Sequence, residues 1–180
     1  MNPSREKAKK QILWGVILLL IAGALYWFGV RPPTIFTFSD CVVSGYPVME
    51  SYPRQCKMPN GVTFKEDIGN ELEKDGFIRI AQPRPNTVIE SPLVVKGMAR
   101  GNWFFEASFP VKLFDGNGEL LASVPAQAKG EWMTTEFVPF EATLSFKMPT
   151  TTVGLLLLQK DNPSGLPEHD DALRVPVRFK

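Results

Sequence analysis

The sequence is poor in the residues that build metal centres and redox sites. Its 180 residues include two cysteines, Cys41 and Cys56, and one histidine, His169. A tetrahedral zinc site needs four nitrogen, sulfur or oxygen ligands held together. Cys41 and Cys56 also lack the C-x-x-C spacing of a redox pair. We therefore expect no cofactor and no metal, apart from a weak calcium candidate in the loop around His169.

A clustered basic region is missing from the body of the chain. The sequence contains 20 basic and 19 acidic residues, and four bases and one acid fall within the first ten residues. The remainder therefore carries 16 bases and 18 acids. Nucleic-acid binding needs basic residues concentrated on one face, so we expect no nucleic-acid partner.

One long hydrophobic run stands out, at residues 12–30. It contains no charged residue, and about 20 apolar residues are enough for a helix to cross a bilayer. The basic residues before it predict that the N-terminus stays in the cytoplasm and that the body is exported. A cleaved signal peptide has a shorter apolar core, of roughly 7–15 residues. We predict an uncleaved signal-anchor at 12–30, preceded by a cytoplasmic basic tail at 1–11.

The two cysteines lie in the segment after this run. In an exported protein, a lone pair such as Cys41 and Cys56 favours a disulfide. Closing a loop of about 15 residues contributes roughly 3 kcal/mol in the chain-entropy model. Asn60-Gly61 predicts a two-residue hairpin turn nearby.

Residues 31–76 are therefore predicted to form a small disulfide-tied module followed by a charged linker. Arg31-Pro32-Pro33 ends the apolar helix and is typical of a stiff spacer. Residues 65–76, KEDIGNELEKDG, have few apolar side chains and are predicted to be solvated.

The rest of the chain, residues 77–180, shows the period-2 alternation of half-buried strands. The clearest case is Phe140, Ala142, Leu144 and Phe146, which alternate with Glu141, Thr143 and Ser145. Seven such stretches occur, at 78–80, 93–99, 107–113, 120–124, 140–146, 154–160 and 173–177. About seven short strands in about 100 residues predict an all-β, Greek-key β-sandwich of the immunoglobulin type.

The same residues resemble a known family. The resemblance is carried by Ser91-Pro92-Leu93, by ARGNWFFE at 99–106, by Trp132-Met133-Thr134, by Val138-Pro139-Phe140 and by DNPSG at 161–165. The segment resembles, across 77–180, the bacterial immunoglobulin-like domain associated with the GerMN domain of spore-germination and sporulation proteins. The resemblance implies an extracytoplasmic immunoglobulin-like fold in a bacterial envelope protein, and the family provides no established catalytic activity to carry over.

Three aromatic residues are candidates for ligand binding. Trp103, Phe105 and Trp132 could form an aromatic platform for a glycan or a partner protein, because aromatic residues concentrate at binding hot spots. The alternative is core packing, since a sandwich of this type normally buries a tryptophan between its sheets. The flanking Arg100 and Glu106 are expected to form a salt bridge.

The only histidine, His169, is the candidate for catalysis. A Ser-His-Asp triad needs it beside a serine and an acid in space, and Ser164 lies nearby without a G-x-S-x-G motif around it. Carboxylates crowded in one loop outside the cell can also bind calcium. A solvated acidic turn is the alternative to calcium binding for the four acids concerned, Asp161, Glu168, Asp170 and Asp171.

These features predict a non-enzymatic, membrane-anchored binding or scaffolding module of a bacterial cell envelope. We expect its partner to be an envelope protein or a cell-wall polymer. Two alternatives stay open, an envelope hydrolase that uses His169 and nearby acids, and a structural stalk that associates with itself.

Overall fold

A computed structural model describes residues 3–29 and 34–180, without the side chains of residues 3–12, 25, 28 and 29. The predicted spacer Arg31-Pro32-Pro33 and the basic side chains of the N-terminal tail therefore lie outside the described residues. The chain divides into two compact units. The first comprises Met1–Glu50 and Gln55–Phe64, and the second comprises Ser51–Arg54 and Lys65–Lys180.

The first unit begins with a long helix, α1, at Pro3–Gly29. Its described side chains from Leu13 onward are largely apolar and exposed. Among the described residues, no helix is both long enough and apolar enough to cross a membrane.

A short helix and a disulfide organise the rest of this unit. Helix α2 spans Phe38–Val43 and begins with a capping box, in which the Thr37 hydroxyl accepts from the Asp40 amide and the Asp40 carboxylate accepts from the Thr37 amide. Cys41 of this helix is bonded to Cys56, with the two Cα atoms 6.1 Å apart and both residues fully buried. The predicted disulfide is confirmed.

A three-stranded sheet completes the module, with β1 at Val48–Met49, β2 at Gln55–Lys57 and β3 at Thr63–Lys65 in the order β1-β2-β3. The predicted two-residue hairpin turn at Asn60-Gly61 is wrong in detail. Met58 N–H bonds to Val62 O at 2.8 Å, so the loop has three residues, and of these only Gly61 has a positive φ, of 89°. Pro59 favours the first position of a type I turn, and Gly61 then supplies the left-handed residue that such a loop requires.

The second unit contains a short helix, α3, at Glu71–Lys74 and all seven predicted strands. The strands are β4 at Ile78–Gln82, β5 at Leu93–Arg100, β6 at Ser108–Asp115, β7 at Leu120–Ala128, β8 at Phe137–Leu144, β9 at Val153–Gln159 and β10 at Ala172–Arg178. Their order in the sheet is β10-β9-β6-β7-β8-β5-β4. The non-sequential neighbours β5 with β8 and β6 with β9 are those of a Greek-key, immunoglobulin-like fold.

The strands form one continuous sheet rather than two separate ones. Strand β7 pairs with β6 along its length, and its last two residues, Gln127 and Ala128, pair with Glu141 and Phe140 of β8. The two ends of the sheet also approach each other, because Ile89 N–H donates to Arg178 O at 2.8 Å and Arg178 N–H donates to Thr87 O at 3.0 Å. The domain is therefore nearly a closed barrel.

The core follows the predicted alternation. On β6 every second residue is buried, and these inward residues face the inward residues of β5, β8, β9 and β10. Phe109 of β6 meets Phe140 of β8 edge to face at 4.9 Å between ring centroids, and Phe104 meets Phe109 at 5.2 Å. Such contacts add about 0.5–1.5 kcal/mol each beyond the burial of the rings.

The charged segment at 65–76 differs from a solvated linker. Ile68 is buried, and the Asn70 side chain donates to Ala172 O at 2.9 Å and accepts from Arg174 N–H at 2.7 Å. Its acids look solvated in the sequence, but Glu66 and Glu71 are buried because arginines lie beside them.

Glu66 and Glu71 each accept hydrogen bonds from an arginine of the same unit. Arg54 Nε and Nη2 donate to the two oxygens of Glu66 at 2.8 and 2.6 Å. Hydrogen bonding from Arg54, more than any other contact, holds the pKa of Glu66 below its ordinary value, against the opposing effect of burial. Arg84 Nη1 donates to Glu71 at 2.6 Å, and the Tyr52 hydroxyl donates to the same carboxylate. Burial first, and this hydrogen bond second, raise the pKa of Tyr52.

Replacing Glu66 with glutamine should destabilise the second unit by about 1–2 kcal/mol at neutral pH, because the charge-assisted pair with Arg54 is lost. The pKa of Glu66 is lower in the folded state. Its contribution is therefore present above the ordinary carboxyl pKa of about 4.3, and it disappears as the pH falls through the lowered value.

Urea unfolding of wild type and Glu66→Gln over a pH series measures this effect. The control is Glu73→Gln, which changes an exposed carboxylate of the nearby helix α3. Equal stability of wild type and Glu66→Gln at neutral pH would contradict the role assigned to the pair.

Candidate binding surface at one end of the domain

Three loops lie at the same end of the second unit, because each follows a strand that runs in the same direction. Loop 1, residues 101–107, joins β5 to β6. Loop 2, residues 129–136, joins β7 to β8, and loop 3, residues 160–171, joins β9 to β10. We call this surface the loop end. It holds every predicted site residue outside the disulfide: Trp103, Phe105, Trp132, Asp161, Glu168, His169, Asp170 and Asp171.

Main-chain contacts hold the three loops together. A Cβ added at Gly101 of loop 1 would lie 2.0 Å from Thr134 O and 2.2 Å from Trp132 O of loop 2. Only a glycine allows so close an approach of two backbones. Loop 3 joins them through the Asp161 amide, which donates to Trp103 O at 3.1 Å.

Trp103 does not lie on a surface platform. It is 1% exposed and belongs to the core, and among the described residues its indole N–H is buried without a hydrogen-bond partner. The reason is local: a single 3₁₀ turn at Gly101–Trp103 follows β5 and breaks the alternation, so that Trp103 and Phe104 both face inward. The predicted platform of three aromatic residues therefore loses one member to core packing.

Phe105 is the exposed aromatic residue of loop 1, at 42%. It precedes a tight turn in which Glu106 and Ala107 both have positive φ, and its N–H and C=O bond to Ser108 at 2.9 and 3.0 Å. The expected salt bridge between Arg100 and Glu106 does not form. Arg100 instead donates to Gly76 O and Thr135 O.

Loop 2 places one apolar side chain in solvent. Trp132 is only half-buried and packs against the core, whereas its neighbour Met133 is 74% exposed. The Glu131 carboxylate accepts from the Met133 amide at 3.0 Å, which fixes the backbone at this point.

The acids of loop 3 each have a different environment. Asp170 accepts from the Asn162 side chain at 2.8 Å, and Asp171 pairs with Lys74 at 2.6 Å. No three acidic, histidine or cysteine side chains come together as metal ligands within the part of the chain that the structure describes. Asp161, Glu168, Asp170 and Asp171, the predicted calcium ligands, therefore do not form a ligand cluster in the described structure.

The residues of the alternative catalytic site are also not joined by a hydrogen bond in the described structure. His169 lies exposed in a 3₁₀ turn at Pro167–His169. The Ser164 hydroxyl donates to Asn162 Oδ1 at 2.5 Å, which stabilises the loop itself. His169 and Ser164 therefore have loop contacts rather than the geometry of a triad.

The loop end is strongly acidic, a property that the sequence analysis missed. Loops 1 to 3 contain seven acidic residues and two lysines, whereas the rest of 77–180 contains four acids and nine bases. The three loops are separated by more than 20 residues along the chain, so no single stretch of sequence shows the concentration. Phe105, Met133 and Leu166 are exposed apolar residues within it.

Comparison with known proteins shows which family the second unit resembles. Residues 77–165 match the model of a family described as the immunoglobulin-like domain of bacterial spore germination. This match covers 89 of the 180 residues of the chain. No curated protein and no solved structure gave a significant match to the chain.

The matched segment includes loops 1 and 2 and the first part of loop 3. The match ends at residue 165, before β10, although β10 pairs with β9 over all seven of its residues. The resemblance noted in the sequence is confirmed for 77–165, and the structure places residues 172–178 in the same sheet.

Replacing Gly101 with alanine should separate loops 1 and 2, because the new methyl group would overlap two main-chain oxygens. We expect a loss of about 3 kcal/mol of stability, in the range of a strained core substitution. Gly130→Ala in loop 2 is the matched control, since a Cβ there meets no atom within 4 Å. Thermal unfolding followed by circular dichroism measures both variants. Equal melting temperatures would show that the close approach does not hold the loops together.

Proposed function

We propose that this chain is a non-catalytic binding or scaffolding module of a bacterial cell envelope. Its N-terminal helix anchors it in the membrane with the N-terminus in the cytoplasm, and its body lies outside the cytoplasm. The loop end binds a basic segment of a partner protein. The observation that carries the proposal is the concentration of seven acids and three exposed apolar residues at that end.

The chemistry of the loop end favours a protein partner over a glycan ligand. An aromatic platform for sugars needs exposed rings, and Trp103 is in the core while Trp132 is half-buried. Exposed Phe105, Met133 and Leu166 provide the apolar contacts that are typical of the centre of a protein interface. Acidic residues around them favour a basic partner, because complementary charge accelerates encounter and selects the orientation of docking.

Three features of the chain support an anchored and exported body. Residues 12–29 of the apolar run lie in a continuous helix, and those of their side chains that the structure describes are exposed. The Cys41–Cys56 disulfide is typical of a compartment outside the reducing cytoplasm. The basic residues before the helix favour a cytoplasmic N-terminus.

Anchoring predicts a specific response to charge in the helix. Leu18 and Leu19 are exposed on α1, and an aspartate at a membrane-helix centre costs about 3 kcal/mol. We expect full-length wild type to remain in membranes after alkaline carbonate extraction and the Leu18→Asp/Leu19→Asp variant to be released.

The conservative variant Leu18→Ile/Leu19→Ile is the control and should stay in the membrane. A C-terminal alkaline phosphatase fusion, which is active only outside the cytoplasm, reports the orientation. Equal retention of all three chains, or an inactive fusion, would refute the anchor or its direction.

Partner binding at the loop end can be mapped in living cells. A photo-crosslinking amino acid at Met133 should give a protein adduct, because this position is the most exposed apolar residue of the loop end. The same amino acid at Met148, exposed in the loop between β8 and β9 at the opposite end, should not.

Charge reversal tests the nature of that partner. Glu131→Lys/Glu136→Lys should reduce the Met133 adduct at least fivefold, whereas Glu119→Lys at the opposite end should leave it unchanged. Equal adducts from positions 133 and 148, or an adduct insensitive to the reversal, would contradict recognition of a basic partner by the loop end.

A further inference from the structure

A second surface lies on the outward face of strands β4, β5 and β8. The strand register places Arg79, Met98 and Pro139 side by side across the three strands, and Arg100 opposite Phe137 in the next row. Their chain neighbours on each strand, such as Ile78, Ala99 and Val138, are buried. The side chains in these two rows therefore point away from the core. Together with Phe77, which precedes β4, we call them the outer face.

The centre of the outer face is a phenylalanine ring between two guanidinium groups. Arg79 lies 4.4 Å and Arg100 lies 4.5 Å from the centroid of the Phe137 ring. Arg79 is held by the Asp75 carboxylate, at 3.0 and 2.9 Å. Arg100 is held by Gly76 O at 3.0 Å and by Thr135 O at 2.8 Å. Side chains fixed in advance lose little conformational entropy when a partner binds.

The composition of the outer face is that of an interface. Outward positions on an immunoglobulin-type strand are normally polar, but Phe77 and Met98 are both exposed here. Aromatic residues, methionine and arginine are the residues enriched where proteins bind one another. The sequence shows these residues at outward positions, such as Arg79 between Ile78 and Ile80, but their adjacency depends on the register of three strands.

The charge of the outer face indicates what it binds. Within the described part of the chain, Arg100 has no carboxylate partner, because both of its hydrogen bonds go to backbone carbonyls. Arg79 is paired with Asp75, and Lys96 in the neighbouring outward row is paired with Glu141, so Arg100 supplies the uncompensated positive charge of this surface. An unpaired guanidinium beside an aromatic ring is complementary to a carboxylate on a partner.

We infer that the outer face docks an acidic protein segment whose carboxylates alternate with apolar side chains. The carboxylates pair with Arg79 and Arg100, and the apolar side chains cover Phe77 and Met98. A hydrated polyanion would satisfy the arginines but leave these two apolar residues exposed to water. This interface adjoins the loop end, because Arg100 donates to Thr135 O of loop 2, and the module thereby joins an acidic partner to a basic one.

The test measures binding of labelled peptides to the full chain in non-ionic detergent by fluorescence anisotropy. The probe is a twelve-residue peptide of alternating glutamate and leucine. A peptide with lysine in place of glutamate, and poly-glutamate without leucine, are run beside it, and empty micelles provide the background. The variants are Arg79→Gln and Met98→Ser. Arg174→Gln, which removes an exposed arginine from β10, is the matched control.

We expect the glutamate–leucine peptide to bind wild type and Arg174→Gln equally, and to bind Arg79→Gln and Met98→Ser at least tenfold more weakly. Circular dichroism of each variant verifies folding, and Met98→Ser alone decides the question if Arg79→Gln does not fold. No binding above the micelle background, equal binding by all variants, or equal binding of the lysine–leucine peptide would overturn the inference. Poly-glutamate that binds as tightly as the probe would overturn it as well. The Met133 crosslink does not depend on Arg79 or Met98. Absence of peptide binding would therefore not contradict the function proposed for the loop end.

Discussion

The edge-to-face contact between Phe109 and Phe140 is the interaction on which the domain depends. Phe109 lies on β6 and Phe140 on β8, on either side of the short pairing between the last residues of β7 and β8. The contact brings the inward faces of these two strands together around a core that includes Trp103 and Phe104. Within this folded sheet β5, β7 and β9 run in the same direction, so loops 1 to 3, which follow these strands, lie at one end of the domain.

Most of the fold could be predicted from the sequence, because period-2 alternation is a local signal. All seven strands and the Cys41–Cys56 bond are present as expected. The position of Trp103 could not be predicted, because the 3₁₀ turn after β5 interrupts the alternation. The burial of Glu66 and Glu71 likewise depends on arginines that are distant in sequence. Long-range pairing of this kind leaves no trace in the composition of a segment.

The candidate surfaces are also products of long-range contacts. The seven acids form one acidic surface because the three loops lie together. Gly101 allows the backbones of loops 1 and 2 to approach closely, and the Asp161 amide of loop 3 donates to Trp103 O of loop 1. Basic side chains of the strands are instead paired with acids outside the three loops, as Arg79 is with Asp75 and Lys96 is with Glu141. The role that we propose for this domain is to orient two proteins relative to each other.

Amide hydrogen exchange tests the central claim most directly, because it locates a bound partner without the partner being known. The full chain is compared in its native membrane and after purification in detergent. The account predicts slower exchange in the native membrane at residues 101–107, 129–136 and 160–171. Protection confined to the opposite end, at 116–119 and 145–152, or identical exchange in both states, would contradict it.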